Sequence, residues 1–141
     1  MTAAEPNATG LPGYSETMQC EAESVGRARQ LVAAALSIWG LGDLADRSTL
    51  IVSELVANVI KHTRCRLVHV AVWRLTDDSV RVAVVDGSRD IPRMACSSDD
   101  SEDGRGLVLV DVLSDRWNYE CQRSSKIVWA ELGLKAEEPK Q

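Results

Sequence analysis

Between Leu50 and Thr63 the chain reads LIVSELVANVIKHT, and its apolar positions Val52, Leu55, Val56 and Val59 recur at spacings of three and four. That is the pattern of a helix with one buried face. Ile51, Ala57 and Ile60 widen its flanks, and the helix is predicted to begin near Leu44 or Asp46 and to end by Thr63. Upstream, Val25, Ala28, Val32, Ala35, Leu36 and Trp39 define a second amphipathic helix. Glu21 and Glu23 suit the positive end of its dipole, and Gly40 and Gly42 end it. Downstream the period changes to two: valine-rich strands at 67–75 and 79–86 flank the turn Thr76-Asp77-Asp78. In the first of these, Val68, Val70 and Val72 share one face, and Leu67, His69, Ala71 and Trp73 share the other. Both faces are substantially apolar, so helices are expected on one or both, with His69 a structural residue.

After Asp86 the periodicity is lost until Gly104, over a length typical of lids and binding loops. A short helix from about 107 to 113 follows, then a hairpin of 116–121 and 124–132 about Gln122-Arg123. Residues 14–20 carry a faint edge-strand signal. A disordered lead-in (1–13) and a flexible tail (134–141) bracket a single domain, 14–133. The order helix, helix, hairpin, loop, short helix, hairpin predicts an α+β fold. Its form is a two-layer α/β sandwich, a mostly antiparallel sheet covered by helices on one face.

Composition narrows the function. At 141 residues the chain holds one core, and its net charge of −5 opposes nucleic acid as a direct partner, since phosphate backbones demand concentrated Lys and Arg. Neither a stretch of about 20 apolar residues nor a secretory leader is present, so a cytoplasmic protein without membrane contact is expected. Cys20, Cys65, Cys96 and Cys121 form no CxxC pair and are expected to be reduced thiols.

Three groups of residues carry candidate chemistry. Glu54, Asn58 and Lys61 rise above one another along a stripe beside the apolar face of their helix. On a solvated surface they need no role. Facing a cavity, Asn58 offers a neutral oxygen suited to a divalent ion and Glu54 a proton acceptor. Asp86-Gly87, at a strand end, either opens a turn or accepts a hydrogen bond from an exocyclic amine such as that of adenine. Gly104-Arg105-Gly106, ahead of an apolar helix, is either ordinary turn chemistry or a place where backbone amides meet an anion. The segment fits neither GxxxxGK[ST] nor GxGxxG.

Glu54-Leu55-Val56-Ala57-Asn58 with Lys61-His62, then Asp86-Gly87-Ser88, then Gly104-Arg105-Gly106-Leu107, resembles the motif series of the GHKL (histidine-kinase-like) ATPase superfamily. Asp115-Arg116-Trp117 and the segment 126–132 are further similar to the short anti-sigma factor serine kinase-like regulators of actinobacteria. The likeness spans about residues 20–132 and implies ATP held with Mg²⁺ between helices and sheet. It implies Asn58 as magnesium ligand and Glu54 as general base, with Lys61 and His62 near phosphate. Asp86 is implied on the adenine amine with Gly87 and Ser88 beside it, and Gly104, Arg105, Gly106 and Leu107 around the phosphates. The implied activity is transfer of the γ-phosphoryl group to Ser or Thr of an antagonist protein, coupled to sequestration of a sigma factor, with a homodimer formed through the first helix or the sheet edge. A non-catalytic regulator acting through partner contacts is the alternative. A histidine-kinase catalytic domain is disfavoured by the absence of a dimerising helical hairpin. Two departures stand out: Asp86-Gly87-Ser88-Arg89-Asp90 has glycine only at 87 where many relatives have DxGxG, and Ser125-Lys126-Ile127 stands where relatives place a threonine.

Overall fold

The computed structural model describes residues 3–6, 12–63, 66–86, 108–121 and 125–134. Six strands form one sheet: β1 (Ala3–Pro6), β2 (Pro12–Gln19), β3 (Leu67–Thr76), β4 (Ser79–Asp86), β5 (Arg116–Cys121) and β6 (Lys126–Gly133). Their order is β1-β2-β3-β4-β6-β5, and every neighbouring pair is antiparallel. Two long helices, α1 (Glu23–Ile38) and α2 (Ala45–His62), are joined by a 3-10 turn at Gly42–Leu44, and the described residues 108–113 belong to a further helix, α3. This is the α+β sandwich expected from the element order.

Alternation decides which face the helices cover. Val70, Val72, Val82 and Val84 pair across β3 and β4, and Val80 and Val82 stand opposite Leu132 and Ala130 of β6. All seven are fully or almost fully buried and join Val32, Leu36, Val52, Leu55 and Val56 of the helices in one core. α1 ends where Gly40 takes a φ of 73°, with the Leu41 amide donating to Leu36 O at 2.8 Å. Glycine reaches that conformation without a Cβ penalty, and the back-bonded turn satisfies the last carbonyls of the helix.

The opposite face carries no helix among the described residues, yet Ala71 and Ala83 on it are only 3% and 2% exposed. Bulky neighbours on the same face, at adjoining register positions, account for this. Trp73 lies against Gly13, Arg81 lies over the Trp129 ring at 4.3 Å, and Arg81 and Arg116 both donate to Glu131. Burial alone raises the Glu131 carboxyl, but the hydrogen bonds from Arg116 and Arg81 outweigh it and hold the pKa below its ordinary 4.5. The same pairing raises Arg116. His69 is half-buried and shares a 2.8 Å hydrogen bond with Thr17, as a structural strand residue would.

Two findings depart from expectation. Part of the stretch 1–13 is strand: Ala3–Pro6 pairs with β2, which itself begins at Pro12. Backbone pairing at a sheet edge accommodates Pro and Gly there and leaves no apolar alternation to detect. In addition, Cys121 is disulfide-bonded. The expectation of four reduced thiols is therefore corrected. Sequence spacing carries no information about which Cα atoms come within bridging distance.

Candidate functional site

Asp86 is the last residue of β4 and shares the face of Val80, Val82 and Val84, so its side chain enters the layer between sheet and helices. Its neighbours across the ladder are Val68 on β3 and Lys126 on β6. At 1% exposure it is one of three buried polar residues among those described, with Ser24 and Ser48. Carboxylates are rarely buried so completely unless something there uses the charge.

The direction of α2 follows from its two ends. Arg47, in its first turn, donates to Gly133 O at 3.1 Å, and Gly133 is the register partner of Ser79 at the start of β4. At the other end, four residues connect His62 to β3, whose second residue, Val68, pairs with Asp86. α2 therefore runs along β4 from its start to its end. At about 1.5 Å per helical residue, Glu54, Asn58 and His62 lie about 10, 16 and 22 Å beyond Arg47. At about 3.3 Å per strand residue, Val82, Val84 and Asp86 lie about 10, 17 and 23 Å beyond Ser79. Glu54 is thus level with Val82, Asn58 with Val84 and His62 with Asp86.

Rotation about the helix axis settles which way these side chains face. At about 100° per residue, Arg47, Glu54 and Asn58 fall within roughly 40° of one another. Arg47 also donates to Leu113 O, at 3.2 Å, so this flank of α2 is turned toward the end of α3 and toward β6. His62 is turned about 40° from Asn58 toward the core, and Lys61 about 60° the other way. Burial follows this order: Glu54, Asn58 and His62 are half-buried, whereas Lys61 is exposed.

α3 forms the facing wall. Val110 is fully buried in the common core, the Trp117 indole donates to Asp111 at 2.9 Å, and the Asp115 amide donates to Glu131 O at 2.8 Å. Glu54 and Asn58 thus lie on the flank of α2 that Arg47 ties to the end of α3 and to β6. The buried carboxylate of Asp86 stands at the end of β4.

Glu54, Asn58 and His62 are thus half-buried residues of α2, Asp86 is buried at the end of β4, and Lys61 is exposed. Gly87, Ser88, Gly104, Arg105, Gly106 and Leu107 lie outside the described residues. The departure at Ile127 loses its force. Ile127 pairs with Val85 and faces the helix-free side, while the β6 residues that share the Asp86 face are Lys126 and Val128. The sequence pattern misses Arg47 altogether, because its partners stand 66 and 86 residues away and leave no local signal.

The donor set fits a magnesium nucleotide: a neutral amide on a half-buried wall for the ion, and a buried acceptor for an amine. Among the described residues no cluster of three or more His, Cys, Asp or Glu is placed to hold a metal by itself, and no helix is long and apolar enough to cross a membrane. Comparison with curated proteins finds no significant match. The model of the histidine kinase-like ATPase domain matches residues 18–132, which takes in both long helices, α3, β3, β4, β5, nearly all of β6 and only the end of β2. This chain belongs to the histidine kinase-like ATPase domain family.

Proposed function

We propose that the domain binds MgATP in the cleft between α2 and α3 and passes its γ-phosphoryl group to a Ser or Thr hydroxyl of an antagonist protein. In this reading it is an anti-sigma-type regulator working in the cytoplasm beside RNA polymerase, where it also holds a sigma factor. The observation that supports it best is the double hydrogen bond of Arg47. It turns the flank bearing Glu54 and Asn58 toward α3, over a strand that ends in buried Asp86.

Each residue then has one task. Asp86 accepts a hydrogen bond from the 6-amino group of adenine, and His62 stands beside it at the same level. Asn58 contributes a neutral oxygen to Mg²⁺, an ion that keeps most of its waters and takes few protein ligands. When bound, the ion neutralises charge on the β- and γ-phosphate oxygens. Glu54, one turn before Asn58, takes the proton of the incoming hydroxyl as its oxygen bonds to the γ-phosphorus and the bond to the β–γ bridging oxygen breaks. Gly87 and Ser88 border the base, and Gly104, Arg105, Gly106 and Leu107 border the phosphates. The test is incubation with labelled ATP and a cognate antagonist: the native protein is expected to form phosphoserine or phosphothreonine, and Glu54→Gln to reduce the rate by about 10² to 10⁴. Equal labelling by both proteins would reject Glu54 as the base.

The exposure of Lys61 favours a second reading, in which ATP is bound but not turned over and the protein acts through partner contacts alone. Tight MgATP binding with no transfer to any partner would select it.

A further inference from the structure

We infer that Arg47 is a positioning residue of the nucleotide cleft: its guanidinium sets the separation of the two walls and thereby the fit to the triphosphate. The inference rests on the MgATP reading above and adds to it a residue outside the family's motifs.

One nitrogen of the fork donates to Leu113 O, at the end of α3, and the other to Gly133 O, at the end of β6. Three elements distant in sequence therefore meet on a single side chain. Leu113 O is among the helix-terminal carbonyls that lack an intrahelical partner, and a cation suits that end of a helix. The planar fork matters, because two nitrogens at fixed spacing hold two acceptors at once, which an ammonium on a flexible stem does less well.

The six residues described for α3 are too few for an independently stable helix, so tertiary contacts hold it. Among the described residues these are Val110 in the common core with Leu113 packed against it, Asp111 on Trp117, and Arg47 on Leu113 O. The Trp117 hydrogen bond joins α3 to β5, and the Arg47 one joins it to α2. Arg47 belongs to the same flank as Glu54 and Asn58, so the length of its side chain becomes the spacing between their wall and α3. Its level is that of the start of β4, remote from Asp86. Loss of Arg47 should therefore disturb the phosphate end of the cleft and spare the base end.

Calorimetric titration of the full chain with MgATP and with adenosine separates these ends. The proteins compared are native, Arg47→Ala, Arg47→Lys and Val32→Ala, a core change in α1 away from the cleft, all well below their melting transitions. Displacement of a positioned group by about 1 Å costs up to about 10² in effective fit, so at least a roughly tenfold loss of MgATP affinity is expected for Arg47→Ala. Arg47→Lys should recover part of it, adenosine affinity should stay within about twofold, and Val32→Ala should bind both ligands like the native protein. If Arg47→Ala does not fold, Arg47→Lys carries the same comparison. Native-like MgATP affinity in the arginine variants, or equal losses of MgATP and adenosine, would overturn the assignment. Failure of the native protein to bind either ligand would instead overturn the nucleotide reading on which it stands.

Discussion

Replacing Asp86 by Ala removes an acceptor that works almost out of water, at 1% exposure. A hydrogen bond to a charged group contributes about 1.5–3 kcal/mol, and the low polarity around Val84 and Val68 favours the upper half of that range. At about 1.4 kcal/mol per decade, ATP affinity should fall by about 40- to 150-fold. The decisive comparison uses purine riboside triphosphate, which lacks the 6-amino group and is otherwise the same ligand. The native protein should prefer ATP over it by the same factor. In Asp86→Ala that preference should collapse toward unity, because the residue and the amine are the two halves of one interaction and their losses do not add. Calorimetric titration at constant free Mg²⁺ reads both affinities, with circular dichroism establishing that the variant is folded. Equal weakening of both ligands, or an ATP preference that survives the substitution, would refute the contact between this carboxylate and adenine.

Asn58→Ala should abolish the magnesium dependence of ATP affinity while leaving adenosine binding unchanged, read by titration with and without the ion. In Gly13→Ala the new Cβ would collide with Trp73 and lie 2.9 Å from both its Nε1 and Val72 O. Such overpacking costs about 1–3 kcal/mol, and an undiminished melting temperature would show that the indole moves aside freely. The folded-state pKa of Glu131 is lowered, so its contribution to stability is complete above the unfolded pKa and lost as pH falls through the folded one. Glu131→Gln should therefore be the less stable protein at neutral pH, with the difference in melting temperature shrinking below about pH 4. A gap unchanged between pH 7 and 3 would contradict this.

What the sequence discloses follows how each element is held. α2, β3 and β4 are legible because each buries a regularly spaced set of residues, Val52, Leu55, Val56 and Val59 at helical spacing and the even-numbered valines from 68 to 84 at period two. β1 and the beginning of β2 are not, since backbone pairing at the sheet margin holds them and Ala, Pro and Gly reveal no face. Glu54, Asn58 and Asp86 stand out as polar residues beside apolar runs, and in the fold the first two are half-buried and the third is buried. Lys61 fits the same spacing but is exposed, because roughly 60° of rotation separates it from Asn58 and spacing alone does not resolve that. Arg47 and the bridged state of Cys121 depend on tertiary neighbours, to which local pattern is blind.

The two borders of the sheet have a consequence for assembly. The outer strand on one side contains Pro6, opposite Pro12, and so lacks an amide donor there; the outer strand on the other carries Arg116, Asn118 and Glu120 exposed in alternation. Proline and charge at such margins discourage a further chain from adding itself as a seventh strand. Copies of this molecule are thus steered away from joining their sheets end to end into open-ended ribbons.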